Sequence, residues 1–281
     1  MRKLRGVILS AIFLVVASFG AGAQIVTTHG DTYDIDSLLS DFDRRPSFGL
    51  YKDNYFIFGI PTSHRPTVEN SDVKFQISIS QRLTKTVLPW HTYLYLFYTQ
   101  KIFWSVLDDS MPMTDMNFNP GIGIAKPLFV RDRFIGNLTV QFEHESNGKD
   151  SINSRSWERV SFGANIVVDP HMIVHGKFWI PIIDGKHNKD LLDYVGIFQV
   201  GASFTSVNEK LGFAFNLTKR KGWNLNYNIQ TEITYRFSKR SNQHLFLQYY
   251  CGYGEGLYNY KRHSSMVRAG IVIKPKLFSE F

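Results

Sequence analysis

A chain of 281 residues with 23 Phe, 14 Tyr and 5 Trp, yet a mean hydropathy of −0.17, pairs aromatic richness with overall polarity in a way helical membrane proteins do not. The formal charge of +8 includes Arg2, Lys3 and Arg5; it fits a surface facing anionic lipid as well as ordinary solubility charge, and no motif favours nucleic acid. The single cysteine, Cys251, excludes an intramolecular disulfide, so in an oxidising compartment stability has to come from a closed fold.

The first element is a leader. Arg2, Lys3 and Arg5 precede an apolar stretch from Val7 to Phe19 and the small-residue site Ala21-Gly22-Ala23, the layout of a cleaved secretory signal. The stretch falls short of the roughly 20 residues of a spanning helix. Residues 1–23 are therefore expected to be a signal peptide, with the mature chain starting near Gln24. Residues 24–53, carrying Asp31, Asp34, Asp36, Asp41 and Asp43, are expected to form a periplasmic lead-in to a barrel over 54–281.

From there the chain alternates. Residues 223–237 place Trp223, Leu225, Tyr227, Ile229, Ile233 and Tyr235 against Asn224, Asn226, Asn228, Gln230, Glu232 and Arg236 without a break. Period two over that length predicts one strand longer than the usual five or six residues of soluble sheets, as expected for a tilted membrane crossing whose apolar face meets lipid. The pattern recurs at Val73, Phe75, Ile77 and Ile79, at Leu211, Phe213, Phe215 and Leu217, and at Val267, Ala269, Ile271 and Ile273. Strands are predicted to start near Asn54, Val73, Thr92, Asn117, Phe134, Trp157, His171, Tyr194, Asn208, Trp223, Gln243 and Ser265. The fold class is thus all-β, a transmembrane antiparallel β-barrel of 12 strands, an even number that puts both ends in the periplasm. Asp169-Pro170 and the region around Val207 read as tight periplasmic turns, and 105–116, 147–156, 182–193 and 253–264 as long external loops. The terminal Phe281 agrees with a last outer-membrane strand. Lys74, Arg82, Glu232 and Arg236 point to a plugged lumen and away from a wide pore. Trp90, Trp104, Trp157 and Trp223 read as interface-belt residues, Cys251 as lipid-facing. His171, His175 and His187 lack metal spacing.

In the fifth predicted strand Phe134, Gly136, Leu138, Val140 and Phe142 share one face, and His144 and Ser146 continue it; in the sixth, Glu158 shares parity with Val160, Phe162 and Ala164. Three polar side chains on a lipid-facing surface near the external rim cost free energy unless they pair or do chemistry. Nucleophilic acyl transfer needs these parts: a serine, an imidazole to take its proton, and an acceptor that fixes the imidazole. Residues i and i+2 share a face, so Ser146 and His144 can meet, and Glu158 can reach them from the neighbouring strand.

The run His144-Glu145-Ser146-Asn147-Gly148-Lys149, followed by Ser154-Arg155-Ser156-Trp157-Glu158-Arg159, closely resembles the active-site signature of the outer membrane phospholipase A family. The match extends to Tyr98-Thr99-Gln100-Lys101, Asn117-Phe118-Asn119-Pro120 and Gly252-Tyr253-Gly254-Glu255. The resemblance implies a calcium-dependent hydrolase of glycerophospholipid acyl esters at either position, active as a homodimer in the bacterial outer membrane with its site toward the outer leaflet. By the same resemblance His144 is the general base, Ser146 the nucleophile and Gly148 an oxyanion donor through its backbone N–H, while Gln100 holds the third triad member from inside the barrel. Calcium would take the carbonyl of Lys149 and the Ser154 hydroxyl of one subunit and Ser110 of the other, oxygens that suit a hard cation. Two positions depart from the family: Glu158 stands where asparagine is usual, and Ser151 where an aspartate can bind calcium, with Asp150 or Asp108 available to compensate. A carboxylate accepts the imidazole proton at least as well as an amide, so a Ser-His-Glu triad is expected. The alternatives are a lipid A deacylase and an inactive structural or porin-like barrel. The Lys219-Arg220-Lys221 run reads first as a solvated charge cluster and second as a contact for lipopolysaccharide phosphates.

Overall fold

A computed structural model describes residues 35–182, 188–238 and 241–275. The expected signal peptide, the start of the lead-in, His187 and Phe281 lie outside these residues.

A nine-residue helix, α1 (Ile35–Asp43), and a short strand, β1 (Phe48–Leu50), precede the barrel. The barrel strands are β2 (Asn54–Pro61), β3 (Asp72–Arg82), β4 (Tyr93–Trp104), β5 (Met113–Val130), β6 (Arg133–Ser146), β7 (Ser156–Asp169) and β8 (Met172–Ile182). They continue through β9 (Phe198–Thr205), β10 (Leu211–Lys219), β11 (Tyr227–Arg236), β12 (Gln243–Gly252) and β13 (Ser264–Ile273). Each is antiparallel to its neighbour in sequence, and β13 returns to pair with β2, Val267 opposite Ile60. Closure leaves no unpaired edge, the condition for a sheet in lipid. The expected 12-stranded barrel is therefore present, with β1 laid against β3 as an extra ribbon.

The wall is apolar outward and polar inward. Phe58, Ile124, Val140, Ile180, Leu247 and Ile271 are exposed, while Lys74, Gln141, Glu143, Gln248 and Arg268 are buried inside. A water-soluble sandwich would show the reverse; the alternation along each strand sets lipid against lumen. The interior is filled by hydrogen-bonded charge. Lys74 Nζ donates to Gln248 Oε1 at 2.8 Å and Glu255 Oε1 at 3.0 Å, and Arg268 forks onto Asp72 at 2.8 and 2.9 Å. At the end bearing the short turns, Arg82 donates to the carbonyls of Phe42, Asp43 and Arg45, fixing α1 beside Tyr93 and Phe134. These side chains occupy the lumen of the described barrel.

Three sequence readings are corrected. The expected strand from Trp223 starts only at Tyr227, because Lys219 Nζ gathers the Arg220 and Gly222 carbonyls and the Asn226 side chain, drawing 220–226 out of the ladder. The strand expected from Tyr194 starts at Phe198, after a helical turn at Leu192–Val195. Trp157 is no belt residue: its odd parity turns it inward, where it is buried with Leu191, Leu257 and Tyr260 in the barrel mouth. Trp90 and Trp223 are exposed.

Candidate active site

The site is built where β6 and β7 run out at the end bearing the long loops. In their ladder His144 lies opposite Glu158 and Ser146 opposite Ser156, so all four side chains share the outer face. The imidazole and the carboxylate meet: His144 Nδ1 is 2.8 Å from Glu158 Oε1, with the two side chains 39% and 36% exposed. A carboxylate beside Nδ1 favours the tautomer that carries its proton there and leaves Nε2 as the basic nitrogen. Ser146, two residues on, lies on the same face of the strand as His144.

The neighbouring β5 explains how the backbone here is satisfied. Pro120 has no N–H to donate, and regular pairing between β5 and β6 lapses from Phe118–Ser146 to Gly121–Glu143. The side-chain amide of Asn119 fills the gap, donating to the His144 carbonyl at 2.9 Å. In the sequence Asn119-Pro120 stands only as part of the resemblance; a proline within a barrel strand, lacking an N–H for its neighbour, was the signal that a side-chain donor has to serve there.

Beyond Ser146 the chain turns sharply. Asn147 is fully buried and organises the loop 147–155: its N–H donates to the Arg155 carbonyl at 2.9 Å, its Nδ2 to the Asn153 carbonyl at 2.9 Å, and its Oδ1 accepts from the Arg155 N–H at 2.9 Å. Gly148 has φ +64°, and a Cβ there would lie 2.8 Å from the Phe118 ring, so both the conformation and the space require glycine. Gly148 stands two residues beyond Ser146 in the chain. Ser151 has φ +51° and accepts from the Ser154 N–H at 3.1 Å, closing the turn that carries Lys149 and Ser154.

The inner face of the same two strands is a separate network. Glu143, completely buried, takes Arg159 Nη2 at 2.8 Å, Ser161 Oγ at 2.5 Å and Lys177 Nζ at 2.7 Å. Arg159 Nη1 also donates to Glu145 Oε2 at 2.7 Å, so one guanidinium grips the residues on both sides of His144.

Of the expected site residues, His144, Ser146, Gly148, Lys149, Ser154 and Glu158 lie on β6, β7 and the loop between them at this end, and the side chains brought into contact are those of His144 and Glu158. Ser110 lies exposed in the turn before β5, in the loop 105–112 at the same end of the barrel. Gln100 departs from its expected role. On β4 Gln100 shares parity with the exposed Leu96 and pairs with the exposed Ile77 of β3, so it faces outward; its Oε1 accepts from the Tyr98 hydroxyl at 3.2 Å and it lies opposite Phe118, not against Glu158. It cannot hold the third member from inside. The basic run is also accounted for within the chain: Lys219 serves its own loop, Arg220 stacks over Tyr253 at 4.7 Å, and Lys221 is 3.8 Å from Asp193.

No group of three His, Cys, Asp or Glu among the described residues could hold a metal. The donor set for a cation on the rim is of another kind. The carbonyl of Lys149 and the hydroxyl of Ser154 are neutral oxygens, and the Lys149 ammonium sits 3.5 Å above the Tyr258 ring and 3.3 Å from the Thr114 carbonyl. Such oxygens fit calcium in type, though two donors make only part of the six to eight oxygen ligands, in round numbers, that it takes.

The family model for phospholipase A1 matches residues 51–273. The chain is 26% identical to phospholipase A1 of Escherichia coli (strain K12) over 296 residues, 97% of this chain and 99% of that protein. It is 26% identical to phospholipase A1 of Proteus vulgaris over 255 residues, 85% and 86% of the two chains. Among solved structures it is similar to outer membrane phospholipase A from Escherichia coli, with a TM-score of 0.71 and 23% identity over 83% of this chain and 100% of that one. The outer membrane phospholipase of Salmonella typhi, a dimer with bound calcium, has the same fold at a TM-score of 0.71 and 23% identity, covering 85% of this chain and 96% of that one.

Proposed function

The chain belongs to the phospholipase A1 family and is an outer-membrane phospholipase, and we propose that it cleaves phospholipid acyl esters with a Ser146-His144-Glu158 triad on the outer wall of its barrel. The observation that carries the reading is the His144–Glu158 contact of 2.8 Å on a face that otherwise meets lipid. Phospholipid in the surrounding leaflet reaches such a site sideways, without leaving the membrane plane.

In the proposed reaction His144 Nε2 takes the Ser146 Oγ proton as Oγ attacks the ester carbonyl. Glu158 holds the Nδ1 proton and steadies the imidazolium that forms. The carbonyl π electrons move onto oxygen, and the Gly148 N–H supports the resulting oxyanion. His144 then passes its proton to the departing glycerol oxygen as the C–O bond breaks, leaving an acyl-enzyme. Water, deprotonated by the same imidazole, then attacks the acyl carbon; as the acyl–Oγ bond breaks, the imidazolium returns the proton to Ser146 Oγ and the fatty acid leaves.

Calcium bound at the Lys149 carbonyl and Ser154 hydroxyl would add positive charge beside the oxyanion. The oxygens lacking on one chain are supplied in this reading by water and by Ser110 of a second copy, which makes the active form a homodimer. The calcium-bound dimer of the Salmonella typhi relative supports this. Export is proposed to remove residues 1–23, leaving 24–53 as an N-terminal segment ahead of the barrel over 54–281 at the periplasmic side, with the triad at the outer leaflet.

The test is hydrolysis of detergent-dispersed phospholipid by the refolded full-length mature chain, with calcium and with chelator. Release of fatty acid that chelation suppresses is expected. Calcium-independent hydrolysis overturns the metal assignment, and cleavage of purified lipid A in place of phospholipid overturns the substrate.

A further inference from the structure

The loop 253–263, between β12 and β13, folds down into the barrel mouth. Glu255 Oε1 accepts from Arg268 Nη1 at 2.6 Å and Lys74 Nζ at 3.0 Å, which fixes the start of the loop to the interior network. Next, the Leu257 N–H donates to Asn117 Oδ1 at 2.7 Å and the Tyr258 N–H to Asp115 Oδ2 at 2.9 Å, tying the loop to the inner face of β5. Leu257 and Tyr260 are buried against Trp157, and the Tyr260 hydroxyl donates to Asp190 Oδ1 at 2.6 Å. The backbone on both sides of Tyr258 is thus fixed.

The Tyr258 side chain leaves this plug and reaches the loop 147–155. The Lys149 ammonium sits 3.5 Å from the centre of its ring, and its hydroxyl donates to Asn153 Oδ1 at 3.3 Å. Both contacts fall within the segment that carries Gly148, Lys149 and Ser154. Such an ammonium is attracted to the face of an aromatic ring, and here the Thr114 carbonyl takes one of its protons as well. Released, this long flexible side chain can return toward its own carbonyl, where its charge would oppose a divalent cation and perturb the oxyanion donor one residue away.

We propose that Tyr258 is a positioning residue for the reaction: it couples the lumen plug to the loop 147–155 and holds the Lys149 ammonium away from the carbonyl of the same residue. The cation part rests on the reading of the Lys149 carbonyl and Ser154 as calcium donors. The positioning part does not.

The experiment uses the refolded full-length mature chain. Tyr258→Leu and Tyr258→Gln, both lacking the ring, are compared with Tyr258→Phe, which lacks only the hydroxyl, and with the double variant Tyr258→Leu/Lys149→Met. Heat-modifiable gel mobility selects the folded barrels, so one folded ring-less variant suffices. The calcium concentration for half-maximal hydrolysis is expected to rise about tenfold without the ring and less than about threefold in Tyr258→Phe, in line with the strength of such a contact. The rate at saturating calcium should change little, and removing the ammonium in the double variant should restore calcium sensitivity, which a merely structural defect would not. Backbone hydrogen exchange over 148–154, measured in chelator, should speed up in the ring-less variants and stay near wild type in Tyr258→Phe. Unchanged exchange together with an unchanged calcium curve overturns the proposal. If the wild type itself ignores calcium, the calcium assignment fails separately, and the exchange data alone decide whether Tyr258 positions the loop.

Discussion

The two faces of the β6–β7 pair hold ion pairs one residue apart in sequence and opposite in character. Inside, Glu143 is wholly buried and has three donors, with Arg159 shared between it and Glu145. Outside, the side chains of His144 and Glu158 are more than a third exposed and joined by one contact of 2.8 Å. The inner network is over-determined, so its charges are fixed and its protons have nowhere to go. The outer pair is under-determined: a single contact, at Nδ1, holds an imidazole that shares its strand face with Ser146, which leaves the second ring nitrogen for moving a proton. One guanidinium gripping the residues on either side of His144 makes the first face the rigid support of the second.

Ser146→Ala should break the outer face most sharply. Loss of hydrolysis by about 10⁴-fold or more is expected with an intact barrel, as for other triads stripped of the nucleophile. Fatty-acid release together with heat-modifiable mobility measures both, and a serine-directed phosphonate should label wild type only. Retained activity would move the nucleophile elsewhere.

Glu158 comes next. Glu158→Ala should cost on the order of 10²-fold in turnover, because the imidazole loses the group that orients it, while Glu158→Asn keeps an acceptor and should stay within about tenfold. Equal turnover in all three proteins would make Glu158 a rim residue with no part in the chemistry.

The inner face should respond in the opposite currency. Arg159→Met leaves Glu143 and Glu145 short of a partner in the lumen and is expected to destabilise the barrel by about 3–5 kcal/mol. Turnover per folded molecule should fall much less than in Glu158→Ala. Denaturant unfolding and activity on the same samples separate the two, and a loss of activity with unchanged stability would reverse the assignment of roles.

The smallest effect tests the interior through pH. Burial alone would raise the Glu255 carboxyl, but the Arg268 and Lys74 cations beside it prevail and hold it at about 2, against 4.5 ordinarily. A carboxyl lowered on folding stabilises the folded state above its unfolded pKa, and that contribution fades as pH falls from about 4.5 through about 2. Glu255→Gln should therefore flatten the acid side of the stability curve between these values while leaving the pH dependence of hydrolysis as it was. Acid unfolding that is the same in both proteins would show that Glu255 carries no such linkage.

Much of this was legible in the chain because a barrel strand has an exact period of two. Parity alone put His144, Ser146 and Glu158 on the lipid side, and the ladder brought His144 opposite Glu158 as that parity required. The same rule, applied beside the exposed Leu96 and Ile77, places Gln100 outside, against the inside role that the resemblance implied for it. Parity misread 223–226, where alternation persists but no partner strand does, whereas Trp157 was assigned by residue type against its own odd position.

The sequence by itself determined the closed all-β wall, its two faces and the outward row of polar residues, since these follow from alternation, which is local and repeats every second residue. Only the tertiary structure decided what stands behind and above that row. Asn119 serving the His144 carbonyl beside Pro120, Arg159 bridging Glu143 and Glu145, and Tyr258 reaching Lys149 from a loop more than a hundred residues away are contacts between strand ends and loops. No periodicity encodes such contacts, because they depend on how the barrel closes and which loops its mouth brings together.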